Sequence, residues 1–168
     1  RHVRGVGDDL QPRAGDAARD DLGCRDGCRR VLLAHHHQCW LRDLAEARRA
    51  CLATSNAEGL AVWTCAERLP LWQAVHPQLT LHPPIAPPAE YAAPAWTRED
   101  ALRELVRCRL SAVGPATVAQ LARSLGVDGG DVELALIRLQ SEGYVMQGRF
   151  SAEATDTEWC ERHLLARI

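Results

Sequence analysis

The sequence predicts a mainly α-helical α+β chain with small β-hairpins: a winged helix-turn-helix over residues 96–168, preceded by a partial winged helix over residues 37–76. Three observations predict it. After residue 97, apolar residues recur at helical spacing in three successive segments. Each segment opens on a Thr or Asp followed three residues later by Asp or Gln, the pattern that caps a helix N-terminus. In both halves a helical segment is followed by short β-rich runs separated by Gly-containing turns. A hydrophobic content of 46% over 168 residues suffices for a packed core. Charged, polar or Pro residues interrupt every apolar run well short of the roughly 20 residues a membrane span needs, so a soluble, cytoplasmic protein is expected.

Residues 1–36 mix Arg, Asp and Gly without helix or strand periodicity and are expected to be a poorly ordered or non-homologous lead-in. Trp40, Leu41, Leu44 and Ala47 then recur at helical spacing, and a β-like run from Arg49 to Thr54 follows. Ser55 to Gly59 is turn chemistry, and Leu60 to Cys65 is a second β-rich run. A short amphipathic piece, AERLPLWQAVHP, leads into residues 77–95, where six Pro from Pro77 to Pro94 predict a stiff linker without regular structure.

Thr97 and Asp100 open a helix carrying Leu102, Leu105, Val106, Cys108 and Leu110, which Gly114-Pro115 stops. Thr117 and Gln120 open a second, with Val118, Leu121, Ala122 and Leu125 as its apolar positions, ending at Gly126. Asp128 and Asp131 open a third, in which Val132, Ala135, Leu136 and Leu139 share a face, closed by Gly143. Tyr144-Val145-Met146 reads as a strand, Gln147-Gly148 as a turn and Arg149-Phe150 as the return strand, making a small wing. A last helix is expected from about Thr157 to Ile168.

Charge and composition exclude several functions. All 20 basic residues are Arg, so neither a phosphate-binding P-loop nor Schiff-base chemistry, both of which need Lys, can be built. The formal net charge of −2 argues against a protein devoted to neutralising phosphates. Of the seven Cys, Cys24, Cys28 and Cys39 cluster with His35, His36 and His37, which are zinc-binding residue types. The spacing departs from the paired ligands of zinc ribbons and fingers, so no metal is expected; Cys24, Cys28, His35 and Cys39 are the candidates if one binds. No nucleophile with a matched His partner emerges, and no catalytic residue is predicted.

The string ALRELVRCRLSAVGPATVAQLARSLGVDGGDVELALIRLQSEGYVMQGRF, followed by EWCERHLLARI, resembles the C-terminal region of large helicase-related (Lhr) DNA helicases. In that family the last segment is typically E-W-C-[DE]-R-x-L-L-A-R-I; here it is Glu158 to Ile168, with His163 where Arg is more usual. The stretch WLRDLAEARRACLATSNAEGLAVWTCAERLPLWQAVHP is similar to the segment preceding that module, so the resemblance covers about Gln38 to the end. It implies a C-terminal fragment of an ATP-dependent helicase that unwinds DNA and acts in repair. ATP and Mg would then belong to the parent's motor, none of whose motifs lies here. Its partners would be DNA, reached through the parent, and neighbouring winged-helix domains, with no membrane contact. The same family's C-terminal half also resembles winged-helix DNA glycosylases of the crosslink-repair type. The alternatives to the helicase reading are therefore an assembly module with no DNA contact and, third, part of a glycosylase-like region.

A groove-reading helix needs Arg, Lys, Asn, Gln or Ser near its start. The third helix instead begins Asp128, Gly129, Gly130, Asp131, Val132, Glu133, setting three carboxylates where phosphates would lie. A scaffolding role within the parent is therefore favoured over direct readout; if the module does touch DNA, the contacts are expected from Arg103, Arg107 and Arg109 on the first helix, Arg138 toward the end of the third, and Arg149 in the wing. Arg103 and Arg107, four apart, share a face.

Overall fold

A computed structural model of the protein describes residues 35–56, 59–92, 95–152 and 154–167. The lead-in predicted over residues 1–36, apart from the backbone of 35 and 36, lies outside the described residues. The architecture is α+β, with helices predominating over two small antiparallel sheets.

Helix α1 (His35–Glu46) ends in a turn where Arg48 takes a left-handed φ of 56° and the Arg49 N–H donates to the Leu44 carbonyl at 2.8 Å. Strands β1 (Ala50–Ser55) and β2 (Leu60–Cys65) pair antiparallel from Ala50↔Cys65 to Ser55↔Leu60. The turn between them reaches Gly59 at φ 60°, a conformation that costs a residue with a Cβ. Strand β1 becomes central because β3 (Thr80–His82) pairs along its other edge, giving the order β2-β1-β3. A 3-10 turn at Ala66–Arg68 leads into α2 (Leu69–Val75), whose first turn accommodates Pro70 because N–H groups there have no intrahelical acceptor. Helix α2 buries Leu69, Leu71, Trp72 and Val75.

The Pro-rich stretch is more regular than its composition predicts, since it holds β3 and a short α3 (Ala89–Ala92). The reason is local. The residues of β3 precede Pro83 and keep their N–H groups, and Pro88 uses only its carbonyl, accepting from the Ala92 N–H at 3.1 Å as α3 begins.

Helix α4 (Arg98–Val113) starts as its capping residues predict: the Asp100 N–H donates to Thr97 Oγ1 at 3.1 Å, and Gly114 stops it at φ 74°. Its buried residues are Ala101, Leu102, Leu105, Val106 and Leu110; Cys108, expected among them, is only half-buried. Helix α5 (Val118–Leu125) carries a complete capping box, the Gln120 N–H donating to Thr117 Oγ1 at 3.2 Å and the Thr117 N–H to Gln120 Oε1 at 2.9 Å. Helix α6 (Gly129–Ser141) is capped differently from the predicted box. Asp128 accepts from the Gly130 N–H at 2.8 Å, while Asp131 turns away to bind Arg98 at 2.8 Å. A carboxylate one methylene shorter than Glu is better placed to take the neighbouring guanidinium than to reach back to the cap.

After Gly143 (φ 73°), β4 (Val145–Gly148) pairs with β5 (Glu158–Glu161) from Val145↔Glu161 to Gly148↔Glu158. Two wing expectations are corrected. The return strand is Glu158–Glu161 rather than Arg149-Phe150, and only Arg162–Leu165 of the predicted last helix is helical, as α7. Trp159 and Cys160 are 4% and 0% exposed, and Trp159 exchanges both backbone hydrogen bonds with Ala116, at 2.9 and 2.8 Å. Pairing on both edges of β5 outcompetes the helical propensity of this segment.

One apolar core joins Leu60, Leu71, Trp72 and Val75 to the buried faces of α4, α5 and α6 and to Val145 and Trp159. Each Leu or Val removed from water there contributes about 1.5–3 kcal/mol. Two contacts seat α5 on the preceding segment. His76 stacks on Trp72 at 6.0 Å, and its Nε2–H donates to the Leu125 carbonyl at 2.8 Å, satisfying a helix C-terminal acceptor. The Cα of Gly126 lies so near Leu60 that a Cβ would stand 3.2 Å from the Leu60 Cβ. No helix among the described residues is long and apolar enough to cross a membrane.

Candidate nucleic-acid interface

The charged surface is built mainly on α4 and the end of α6. Arg103 and Arg107, one turn apart, both reach the Glu142 carboxylate just past α6. Arg107 Nη2 donates to Glu142 Oε2 at 2.6 Å, and its guanidinium lies 4.6 Å over the Tyr144 ring. Its Nε is 3.3 Å from Glu104 Oε2, an electrostatic contact that leaves the buried Nε–H without a hydrogen bond. Arg103 holds Asp100 at 3.1 Å and Glu142 at 3.6 Å, and Glu104 also accepts from Arg68 at 3.1 Å. Arg68, Glu104, Arg107, Glu142, Arg103 and Asp100 therefore form a chain of alternating sign whose charges cancel. With side chains 31–43% exposed, each pair contributes only about 0.2–1 kcal/mol.

The other three arginines singled out in the sequence stand apart from this network. Arg109 on α4, Arg138 on α6 and Arg149, immediately past β4, are exposed and have no ion pair among the described residues. Arg123 near the end of α5, Arg162 opening α7 and Arg167 are also exposed, and sequence reasoning passed over all three. Exposure and the lack of an ion pair among the described residues distinguish them from Arg103 and Arg107, and a linear pattern carries neither.

Glu158 shapes the loop between β4 and β5. Its buried carboxylate accepts from the Phe150 and Ser151 N–H groups, each at 2.8 Å, and from Ser151 Oγ at 2.7 Å. The Ser151 N–H, the Ser151 hydroxyl and the Phe150 N–H hold its pKa below the ordinary glutamate range. Arg149 immediately precedes the two residues so fixed, which places it at the start of an anchored loop.

Cys24 and Cys28 lie outside the described residues, as do the side chains of His35 and Cys39, so the structure does not describe that cluster. No group of three or more His, Cys, Asp or Glu with metal-binding geometry occurs among the described residues. Cys51, Cys65, Cys108 and Cys160 are free, and burial raises the pKa of each thiol above its ordinary value, which disfavours the nucleophilic thiolate.

A family model for AlkZ-like DNA glycosylases matches residues 2–165. The chain belongs to the AlkZ-like DNA glycosylase family. The match corrects the resemblance to the C-terminal region of Lhr helicases, and the ATP-binding, hydrolase and helicase-parent expectations lose their support with it. The string that carried the resemblance encodes helix caps, a buried strand at Glu158–Glu161 and a closing turn, all of which are packing requirements of the fold. Such requirements specify an architecture without specifying a motor. The AlkZ-like match also takes in residues 2–36, which the resemblance to Lhr helicases does not cover. Comparisons with curated proteins and with solved structures found no match.

Proposed function

We propose that the chain contributes a DNA-contacting winged-helix module to an AlkZ-like DNA glycosylase. The observation that carries the reading is the family match over residues 2–165. The arrangement of α4, α5 and α6 followed by the β4–β5 hairpin, with Ala116 paired to Trp159 as a third rung, supports the winged helix-turn-helix reading. Such a protein holds duplex DNA through phosphate contacts while a damaged base is presented for excision.

In this reading the phosphate contacts come from Arg149 in the anchored loop and Arg109 on α4, both exposed. Arg103 and Arg107 instead hold α4 to the end of α6 through Glu142. Fluorescence anisotropy of the full chain with a labelled duplex tests this. Two phosphate contacts predict a slope of log affinity against log salt of about −1.8, and Arg149→Ala and Arg109→Ala should each make it shallower by about 0.9. Absence of binding at about 50 mM salt, or binding insensitive to both substitutions, overturns the assignment.

A further inference from the structure

Helix α6 carries a face that the described residues leave uncovered. At 100° per residue, Gly130, Leu134, Ile137 and Ser141 form one stripe along it. Leu134 is 63% exposed and Ile137 50%. Glu133 and Gln140 flank the stripe on one side, Asp131 and Arg138 on the other. A face with two large apolar residues at its centre, flanked by the carboxylates of Asp131 and Glu133, is a poor match for a phosphate backbone.

The order of residues is palindromic in character about a point between Ala135 and Leu136. Small Gly130 and Ser141 lie at equal distances from that point, and so do apolar Leu134 and Ile137. We infer that this face is a self-association surface, on which two copies of the chain pair their α6 helices antiparallel about a two-fold axis. A two-fold contact uses the same patch on both copies and therefore requires such self-complementarity. In this arrangement Leu134 of each copy meets Ile137 of the other, and Gly130 meets Ser141, where small side chains allow close helix approach. An antiparallel pair keeps each flank on its own side, so Arg138 of one copy stands across from Asp131 of the other, twice over, and Glu133 across from Gln140. Arg138 has no ion pair among the described residues. Asp131 gives Oδ2 to Arg98 at 2.8 Å, yet its side chain remains 35% exposed and able to take a second guanidinium. The surface goes beyond the family reading and does not rest on it. One helix face buries less than the roughly 800 Å² per partner of a standard interface, so the dimer is a concentration-dependent one.

Analytical ultracentrifugation of the full chain is the test. The weight-average mass should climb from the monomer's 18.5 kDa toward twice that value as concentration rises to about 1 mM. Leu134→Glu and Ile137→Glu should each hold the protein monomeric throughout. Arg138→Glu, which sets like charges against each other, should weaken association roughly tenfold. Met146→Glu, at an exposed apolar residue on β4, should leave association unchanged. All four side chains are solvent-exposed, and far-UV circular dichroism checks that each variant is folded. A wild-type chain that stays monomeric at about 1 mM overturns the inference. So does association that persists in Leu134→Glu and Ile137→Glu, or that Met146→Glu abolishes.

Discussion

Replacing Glu142 with Gln removes one negative charge while keeping the side chain's size, and it tests whether the arginines of α4 are neutralised from within. The carboxylate takes Arg107 at 2.6 Å and Arg103 at 3.6 Å, with the three side chains 31–39% exposed. Two screened surface pairs of this kind are together worth about 0.5–2 kcal/mol. At this chain length about 1 kcal/mol corresponds to a fall of roughly 2–4 °C in melting temperature. The substitution does not release two arginines. Arg107 keeps the Tyr144 ring at 4.6 Å and Glu104 at 3.3 Å, and Arg103 keeps Asp100 at 3.1 Å. The local gain is one unit of positive charge, so the slope of log DNA affinity against log salt should steepen by about 0.9. Anisotropy titrations between about 50 and 200 mM salt measure it, and the charge-neutral pair Arg107→Gln with Glu142→Gln should leave the slope at its wild-type value. The neutralisation argument fails if that double substitution flattens the slope by about 0.9, because Arg107 would then be contacting a phosphate in the native protein.

Two further predictions concern the loop and the joint. Glu158 has a lowered folded-state pKa, so its stabilising contribution is present above the unfolded glutamate value and is lost as pH falls through the depressed one. Glu158→Gln should therefore lower the melting temperature near neutral pH, and the difference from wild type should vanish in acid; a difference independent of pH would show that the charge on Glu158 is immaterial. Gly126→Ala meets both a left-handed backbone, costing about 1–2 kcal/mol, and the Leu60 side chain at 3.2 Å. Gly59→Ala has a similar φ of 60° but open space around it, so it should lose only the backbone term. Equal shifts in urea midpoint for the two variants would mean that the Leu60 contact contributes nothing.

The helices of residues 98–141 were legible because their signals are local. Thr97 capping Asp100, Thr117 boxing with Gln120, and left-handed Gly114 and Gly126 act within one turn of chain. The β5 strand was not legible. Glu158–Glu161 reads as the start of a helix until its partners are known, and these are β4 and the backbone of Ala116, 43 residues upstream of Trp159. Neither was the short pairing of β3 with β1, since nothing in Thr80–His82 announces a partner near Leu52 to Thr54. The candidate site divides along the same line. Arg103 and Arg107 share a helix face in the sequence, yet Glu142, the carboxylate that both reach, arrives from the end of another helix.

By itself the sequence determined the α+β class, the caps and stops of α4, α5 and α6, the hairpin of β1 and β2, and the acidic first turn of α6. Periodicity and capping act over a few residues, and a side chain's charge does not depend on the fold. Tertiary structure alone decided which arginines are cancelled, that Asp131 serves Arg98 rather than the helix cap, that Glu158 clamps a loop, and that Leu134 and Ile137 remain in solvent. Each of those depends on a through-space distance between elements, and such distances are set only when the core closes.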